Sequence, residues 1–447
     1  MSRLTRENGR PKAPVRIVHL GLGNFFRAHT CWYTEHSVGD VWGIAAFSGR
    51  TATHVDDLEE QGDVYTLVVQ GVQTSSEIIS TLSAVHRADE LAAWRGYFAS
   101  PQVSIVTSTI TEGGYLRDAS GNLDLTLESV QADISSLVAN HLGGIVTTAP
   151  GKFVAGLLVR RHYNSGPVTF VPCDNVVDNG SMIRRVVTQM AEAVDPTLAK
   201  WMTSNVTFVS TMVDRITPGL SEEGRHQIEA DLGYEDKALV ITEPFTQWVL
   251  SGDFAGERPA WESAGATFVG DIVPFEHCKL WLLNGAHSLM AYAAPLRGHT
   301  TVQDAIVDPV VRGWVEQWWD EAGPRLPLPS EEVQAYRTAL LTRFTNPTMR
   351  DVLSRIAADG SQKLPIRFVP VVKADLAEGI VPIAGLRAVA AWVLHIREDS
   401  TVVNDVRRDE VLALGEGLLA EAVIKVLAFL GLPEDLRDTV WELVNEF

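Results

Sequence analysis

Over roughly the first 270 residues, short apolar runs alternate with stretches whose apolar positions recur every three or four residues. Val15-Arg16-Ile17-Val18-His19-Leu20 predicts a buried strand that runs into Gly21-Leu22-Gly23, with a helix from Phe26 to Ser37 after it. Trp42 to Phe47 predicts a second buried strand, ended by Ser48-Gly49-Arg50. Further strands are expected at Tyr65–Val69, Val103–Thr107, Val154–Val159, Val168–Pro172 and Val206–Val213. Helices are expected at Ala88–Phe98, Leu127–Leu142 and Asn179–Ala193. Such alternation predicts a doubly wound, mostly parallel sheet in an α/β fold. From about Asp271 strand-like runs nearly vanish, and helical periodicity covers His277–Ala294, Pro309–Ala322, Glu331–Phe344, Met349–Ala358, Gly385–His395 and Asp409–Leu430. The expected organisation is a dinucleotide-binding domain over residues 1–270 and a mainly α-helical substrate and catalytic domain over 271–447.

Composition narrows the partners. A chain of 447 residues with 46% hydrophobic and 21% charged positions is ordinary globular material, long enough for two cores. Its 56 acids against 37 bases give a net charge of -19, which repels nucleic acid and anionic membrane surfaces. An anionic cofactor therefore needs a local set of basic groups. The three cysteines, Cys31, Cys173 and Cys278, argue against a disulfide framework and for a reducing compartment. The polar, basic segment before Pro14 has no apolar stretch resembling a secretory signal. No run approaches the roughly 18 apolar residues that a membrane span requires. A cytoplasmic protein is expected.

The loop Gly21-x-Gly23, between a strand and a helix, is half of a dinucleotide fingerprint of the Rossmann-like kind. The first glycine permits the tight turn, and the second lets the backbone approach a pyrophosphate. Phe26 stands where the third glycine is expected, so the helix is expected to pack less closely on the strand. Asn24, Phe25 and Arg27 complete the candidate cofactor loop, with Arg27 placed to add a phosphate contact. A purely structural strand–turn–helix, with Arg27 solvated, would carry the same residues. The second strand ends in Ser48-Gly49-Arg50 where NAD enzymes usually place an acid for the ribose 2′-hydroxyl. Arg50 there is either a 2′-phosphate contact for NADP or an exposed loop charge, so the choice between NAD and NADP stays open.

The sharpest constellation is Lys279-Leu-Trp-Leu-Leu-Asn284-Gly-Ala-His287. In a helix Asn284 and His287 share a face, and Lys279 lies about two turns before His287. All three interrupt an apolar run, and desolvation lowers a lysine's pKa toward the range of a general base. Oxidising a secondary alcohol needs such a base, together with donors for the alkoxide that develops as hydride leaves. Lys279 fits the first role, Asn284 with a second amide the other, and His287 can orient a substrate hydroxyl. A lysine snorkelling from a helix end over a satisfied core Asn and His is the structural alternative.

The pattern Lys-x4-Asn-x2-His resembles the signature of the polyol-specific long-chain dehydrogenases, the mannitol dehydrogenase family. His19 to His29, Thr109-Ile-Thr-Glu-Gly-Gly-Tyr115, Cys173-Asp-Asn175 with Asn179-Gly180, Met212 to Pro218, Glu243 to Val249 and Arg355 to Lys363 are similar to that family too. They run in order from about residue 15 to at least residue 395. The resemblance implies a metal-independent, NAD-favouring polyol dehydrogenase, monomeric, acting on a small polyol or ketose. It makes Lys279 the base, Asn175 and Asn284 the oxyanion donors, His287 a substrate-binding group and Glu112 the proton relay to solvent. Asp214, Arg355 and Lys363 become substrate-binding residues. Each has a plainer reading: Asp214–Arg215 as a structural ion pair, Glu112 as a turn cap, Lys363 as surface charge. The chain departs from the family at Phe26, where many members have His, and at the Ser48-Gly49-Arg50 corner.

Two rivals are weaker. Zinc catalysis would draw on Cys173, Glu276, His277 and Cys278, but no paired ligand spacing exists, and adjacent helical residues diverge by about 100°. A non-catalytic dinucleotide-binding regulator would explain the glycines and leave the Lys/Asn/Asn/His set without a role. Within the family, mannitol/fructose is the leading pair, with mannonate/fructuronate or arabinitol as alternatives.

Overall fold

The computed structural model describes residues 2–447 except 50, 51, 53, 349, 350 and 399–401. The chain divides into two compact units, Met1–Ile272 and Val273–Phe447.

The first unit is built on six parallel strands: β1 (Val15–Leu20), β2 (Gly43–Phe47), β3 (Leu82–His86), β4 (Ile105–Ser108), β5 (Val168–Pro172) and β6 (Val206–Phe208). Their spatial order is 3-2-1-4-5-6, so chain direction across the sheet reverses between β1 and β4. The pleat sends alternate residues to two separate cores. Val18, Val106 and Phe170 enter one core, whereas Ile17, Ile105 and Val171 enter the other. Both faces are therefore apolar, and the strands read as continuous hydrophobic runs.

Several elements differ from the sequence reading. Val154–Val159 is not a strand but the middle of a helix, Ala149–Tyr163. Every residue from Pro150 to Arg160 on it is buried. A helix enclosed on all sides shows no polar stripe, and its apolar run imitates a strand. The Phe26–Ser37 helix is two short ones, Asn24–Ala28 and Thr30–Glu35, broken at His29 with φ −114° and ψ −83°. The run Val206–Val213 splits at Val209 into β6 and Ser210–Asp214, which leaves the main sheet and pairs antiparallel with Gln247–Ser251. The strands Leu82–His86 and Ser75–Ile79 were not anticipated, because polar residues interrupt both.

The second unit has no strand among the described residues. Its centre is the enclosed helix Ile383–Arg397, packed against Ala286–Ala293. Asp409–Leu430 forms two helices, Arg408–Gly415 and Leu419–Phe429, and Met349–Ala358 shortens to Leu353–Ile356. Met349 itself lies outside the described residues. No helix is long and apolar enough to cross a membrane, among the described residues.

One buried cation locks the first unit. Arg160 is fully buried. Its Nη2 donates to the carbonyls of Val103 (2.7 Å), Pro167 (2.8 Å) and Ser165 (3.0 Å), and its Nε to Gly166 (2.8 Å). These carbonyls belong to the loops that feed β4 and β5, so a single side chain fixes the entry of both strands. Burial pulls its pKa down to about 10, still charged at neutral pH. Arg160→Met keeps the stem but strands these carbonyls. Stability should fall by about 3 kcal/mol or more, read by chemical denaturation; an unchanged midpoint would refute the clamp.

Candidate functional site

At the reversal between β1 and β4, the strand ends open the crevice where doubly wound folds place a ligand. Gly21 sits there with φ +114°, and a Cβ on it would lie 2.2 Å from the Thr109 carbonyl oxygen. Only glycine lets the loop after β1 approach β4 this closely. Above Gly23 the nearest atom to an added Cβ is 3.8 Å away, so its backbone faces open space. Gly23, Asn24 and Phe25 are partly exposed, while the residues on either side turn inward. A pyrophosphate fits this arrangement: an open backbone edge at a strand end, held rigid from below.

The rigidity comes from His19. Its Nε2 lies 3.1 Å from the Gly21 carbonyl, which can only accept, so Nε2 carries the proton and Nδ1 accepts from the Thr107 hydroxyl at 2.8 Å. Burial pulls its pKa down to about 3, keeping it neutral. Phe26 stacks flat on this ring, with centroids 3.4 Å apart and planes 5° apart. The missing third glycine is thus replaced by a stacked pair that fills the gap between helix and strand.

Arg27 departs from the expected phosphate contact. Its side chain is buried and donates to the Ala238 carbonyl and, at 2.6 Å, to Asn24 Oδ1, bracing the loop from behind. Ser48 is buried too, and its hydroxyl accepts from the Ala88 N–H at 2.9 Å, tying together the segments that follow β2 and β3. Arg50 lies outside the described residues.

The ends of β4 and β5 carry the next candidates. Asn175 is exposed just beyond β5. Beside it Asp174 is buried, accepting from the Ser108 hydroxyl at 3.0 Å, the Ile110 N–H at 2.5 Å and the Tyr115 hydroxyl. Burial pushes its pKa up to about 7. The Asn179 amide donates to the Asp174 carbonyl (3.1 Å) and to that of Thr211 (2.9 Å), fixing the loop from its far side. Asn175 is therefore mounted between two anchored neighbours. Glu112, in the turn Glu112–Tyr115, is exposed and pairs with Arg117 at 2.6 Å. Asp214 ends its strand in a buried position. Next to it, buried Arg215 donates to the Ala28 and Glu243 carbonyls and lies over the Trp32 ring. The sequence reading passed over Asp174 and Asn179, which appear in it only as motif letters.

In the second unit, Lys279–Gly285 is a π-helix between the α-helices Val273–Cys278 and Ala286–Ala293. Bonds from residue i to i+5 stack residues five apart, as i to i+4 bonds do for residues four apart in an α-helix. Lys279 and Asn284 are five apart. In an α-helix they would diverge by about 140°; the widened turn sets one above the other, and His287, three further on, stays on that side. Lys279, Asn284 and His287 are partly exposed among buried neighbours. Glu276, considered above only as a ligand type, is buried one turn before Lys279.

Lys363, on Gly360–Arg367, donates to the Ile356 carbonyl at 3.0 Å, and burial lowers its pKa to about 8. That bond ties its helix to Leu353–Ile356, whose Arg355 is largely exposed and pairs with Asp351. Among the described residues no three His, Cys, Asp or Glu side chains are grouped to hold a metal ion.

Residues 15–263 match the mannitol dehydrogenase Rossmann domain, and residues 271–440 the mannitol dehydrogenase C-terminal domain. The chain is 39% identical to D-mannonate oxidoreductase of Escherichia coli (strain K12), over 81% of this chain and 76% of that one. It is 35% identical to D-arabinitol 4-dehydrogenase of Ralstonia nicotianae, over 83% and 81%. Among solved structures it resembles the Pseudomonas fluorescens mannitol 2-dehydrogenase ternary complex with NAD and D-mannitol, with a TM-score of 0.82, 30% identity and 99% of both chains covered.

The raised pKa of Asp174 gives a signed prediction. The folded state holds this proton more tightly than the unfolded chain, so its contribution is complete below the ordinary carboxylate range and is lost as pH rises through about 7. Relative to Asp174→Asn, wild type should lose stability between about pH 4 and about pH 7, on the order of 2–4 kcal/mol. Denaturation midpoints of both proteins across that range measure it, and a difference independent of pH would contradict the assignment.

Proposed function

The chain belongs to the mannitol dehydrogenase family, and from that premise we propose that it oxidises a secondary hydroxyl of a free polyol, D-mannitol to D-fructose, with NAD as the dinucleotide. It is an oxidoreductase acting on CH–OH groups of small polyols, and its doubly wound unit carries a nicotinamide cofactor. The nicotinamide, when bound, supplies the acceptor for the hydride.

The loop Gly21–Phe25 holds the pyrophosphate with backbone groups, supported by the open space over Gly23 and the neutral His19 beneath. Lys279 takes the hydroxyl proton. Asn284 and Asn175 donate to the oxygen as its charge grows, the task of an oxyanion hole. His287 orients a neighbouring hydroxyl, and Asp214, Arg355 and Lys363 bind the remaining ones. Glu112 passes the proton to solvent. No metal enters the scheme. We place the enzyme in the cytoplasm, in keeping with three buried cysteines that form no disulfide, and as a monomer.

The observation that supports this reading most is the π turn, which puts an amine and an amide five residues apart on one side of an otherwise buried helix. A core lysine and asparagine satisfied for structural reasons would need no such register. A second substrate reading, D-mannonate with D-fructuronate, is favoured by the higher identity to D-mannonate oxidoreductase.

Absorbance of reduced nicotinamide in the presence of a chelator tests the proposal, with mannitol, arabinitol, sorbitol and mannonate each offered with NAD and with NADP. Turnover of mannitol with NAD is expected. Turnover of mannonate alone would move the substrate to the aldonates, a clear preference for NADP would give Arg50 the 2′-phosphate, and silence with dinucleotide bound would favour the regulator. Lys279→Ala should abolish most turnover with the fold intact, and Asn284→Ala should lower kcat by roughly 10²-fold. Full activity in the lysine variant would end the mechanism.

A further inference from the structure

A π turn spends hydrogen-bond geometry that an α-helix would keep, so something outside must favour it. Three side-chain donors reach the carbonyls of this segment. Trp318 Nε1 donates to the Trp281 carbonyl at 2.7 Å, and Trp319 Nε1 to the Leu282 carbonyl at 2.8 Å. Arg367 Nη1 donates to the Asn284 carbonyl at 2.9 Å and accepts nothing in return, holding Ser288 Oγ at 2.7 Å as well.

The two tryptophans are consecutive on Pro309–Ala322, and their targets are consecutive on the π turn. Adjacent side chains on one helix diverge by about 100°, as do adjacent carbonyls on another, so the pair reads two successive groups of a single turn. Both indoles are fully buried, where an unsatisfied N–H would be costly. Gly285 completes the fit: a Cβ there would lie 2.6 Å from Trp318 Nε1. The indole therefore occupies the space that any other residue at this position would fill.

We propose that Trp318, Trp319 and Arg367 are positioning residues, which hold the π register and thereby keep Lys279 and Asn284 stacked for proton abstraction and alkoxide binding. The proposal rests on Lys279 and Asn284 acting as assigned above. None of the three need touch substrate or cofactor. Their effect is exerted through the carbonyls of the turn that carries the reactive groups.

The test is a double-mutant cycle on the holoenzyme with its best polyol. Trp318→Phe and Trp319→Phe remove the N–H and keep an aromatic ring. Each should lower kcat by about tenfold to 10²-fold, the scale of a small misplacement, with KM for the dinucleotide unchanged because the Gly21–Gly23 loop lies in the other unit. In an Asn284→Ala background the same substitutions should cost little further, since the register they hold has lost its purpose. Gly285→Ala displaces the Trp318 indole without removing a ring, and serves if a tryptophan variant folds poorly; the same two results are expected of it. Equal losses in both backgrounds, or wild-type kcat in the tryptophan and glycine variants, would overturn the proposal. Lys279→Ala, assayed alongside, reads the underlying mechanism separately: its full activity would remove that mechanism and the positioning role together, whereas an inactive lysine variant with additive tryptophan losses removes only the latter.

Discussion

The turn Lys279–Gly285 holds one residue more than the α-helical turns on either side, and two buried tryptophans and an arginine donate to its carbonyls. The consequence is a change of register. Lys279 and Asn284, which an α-helix would point apart, share a side, and His287 follows from the α-helix beyond. The spacing Lys-x4-Asn is unremarkable as a string of letters. It acquires meaning as the repeat of a π turn, in which residues five apart are neighbours. The apolar residues between them, Trp281, Leu282 and Leu283, are buried, so Lys279 and Asn284 are carried by a segment with little freedom to relax.

The first unit solves a similar problem with different means. Its strand ends must bring backbone close to a ligand, and backbone brought close must be held. Gly21 supplies the approach, and the neutral His19, bonded to Thr107 and to the Gly21 carbonyl and covered by Phe26, supplies the hold. At the ends of β4 and β5 the buried Asp174 gathers Ser108, Ile110 and Tyr115 around one carboxyl, with exposed Asn175 beside it. In each place a buried polar side chain faces groups that can satisfy it, and the exposed neighbour inherits a fixed position.

Much of this was legible in the sequence, and the failures have physical causes. The six-strand order needs β3, which the reading missed because Ser83 and His86 break its apolar run. The enclosed helix Ala149–Tyr163 passed for a strand because periodicity is visible only where one side meets water. Lys279, Asn284, His287 and the paired glycines stand out as candidates because polar residues inside apolar runs, and glycines at a strand end, are locally improbable. Arg27 was misjudged because an arginine near a glycine loop suggests phosphate, and nothing in the sequence tells that Ala238 and Asn24 claim it first. The π register itself left a trace, in Gly285 and in the pair Trp318-Trp319, yet neither is interpretable until the two helices are seen side by side.

The division of tasks bears on substrate choice. In the proposed mechanism Lys279 and Asn284 read a single carbon and its oxygen, and they are indifferent to what the molecule carries at its far end. That fits a chain whose relatives are named for polyols and for D-mannonate. Discrimination must then come from groups outside the turn. Lys363 and Arg355 are cations whose other commitments are modest, one bond to the Ile356 carbonyl and one exposed pair with Asp351. A neutral hydroxyl and a carboxylate would both accept from them, but the carboxylate would gain more from the charge. Lys363, with its pKa lowered to about 8, holds that charge less firmly as pH rises through this value. Binding of an aldonate would weaken over that range, while a neutral polyol, which needs only a donor or acceptor of either form, would feel the change far less. In the proposed mechanism the proton of Lys363 would therefore tilt the balance between the two substrate classes, while Arg355 keeps its charge throughout.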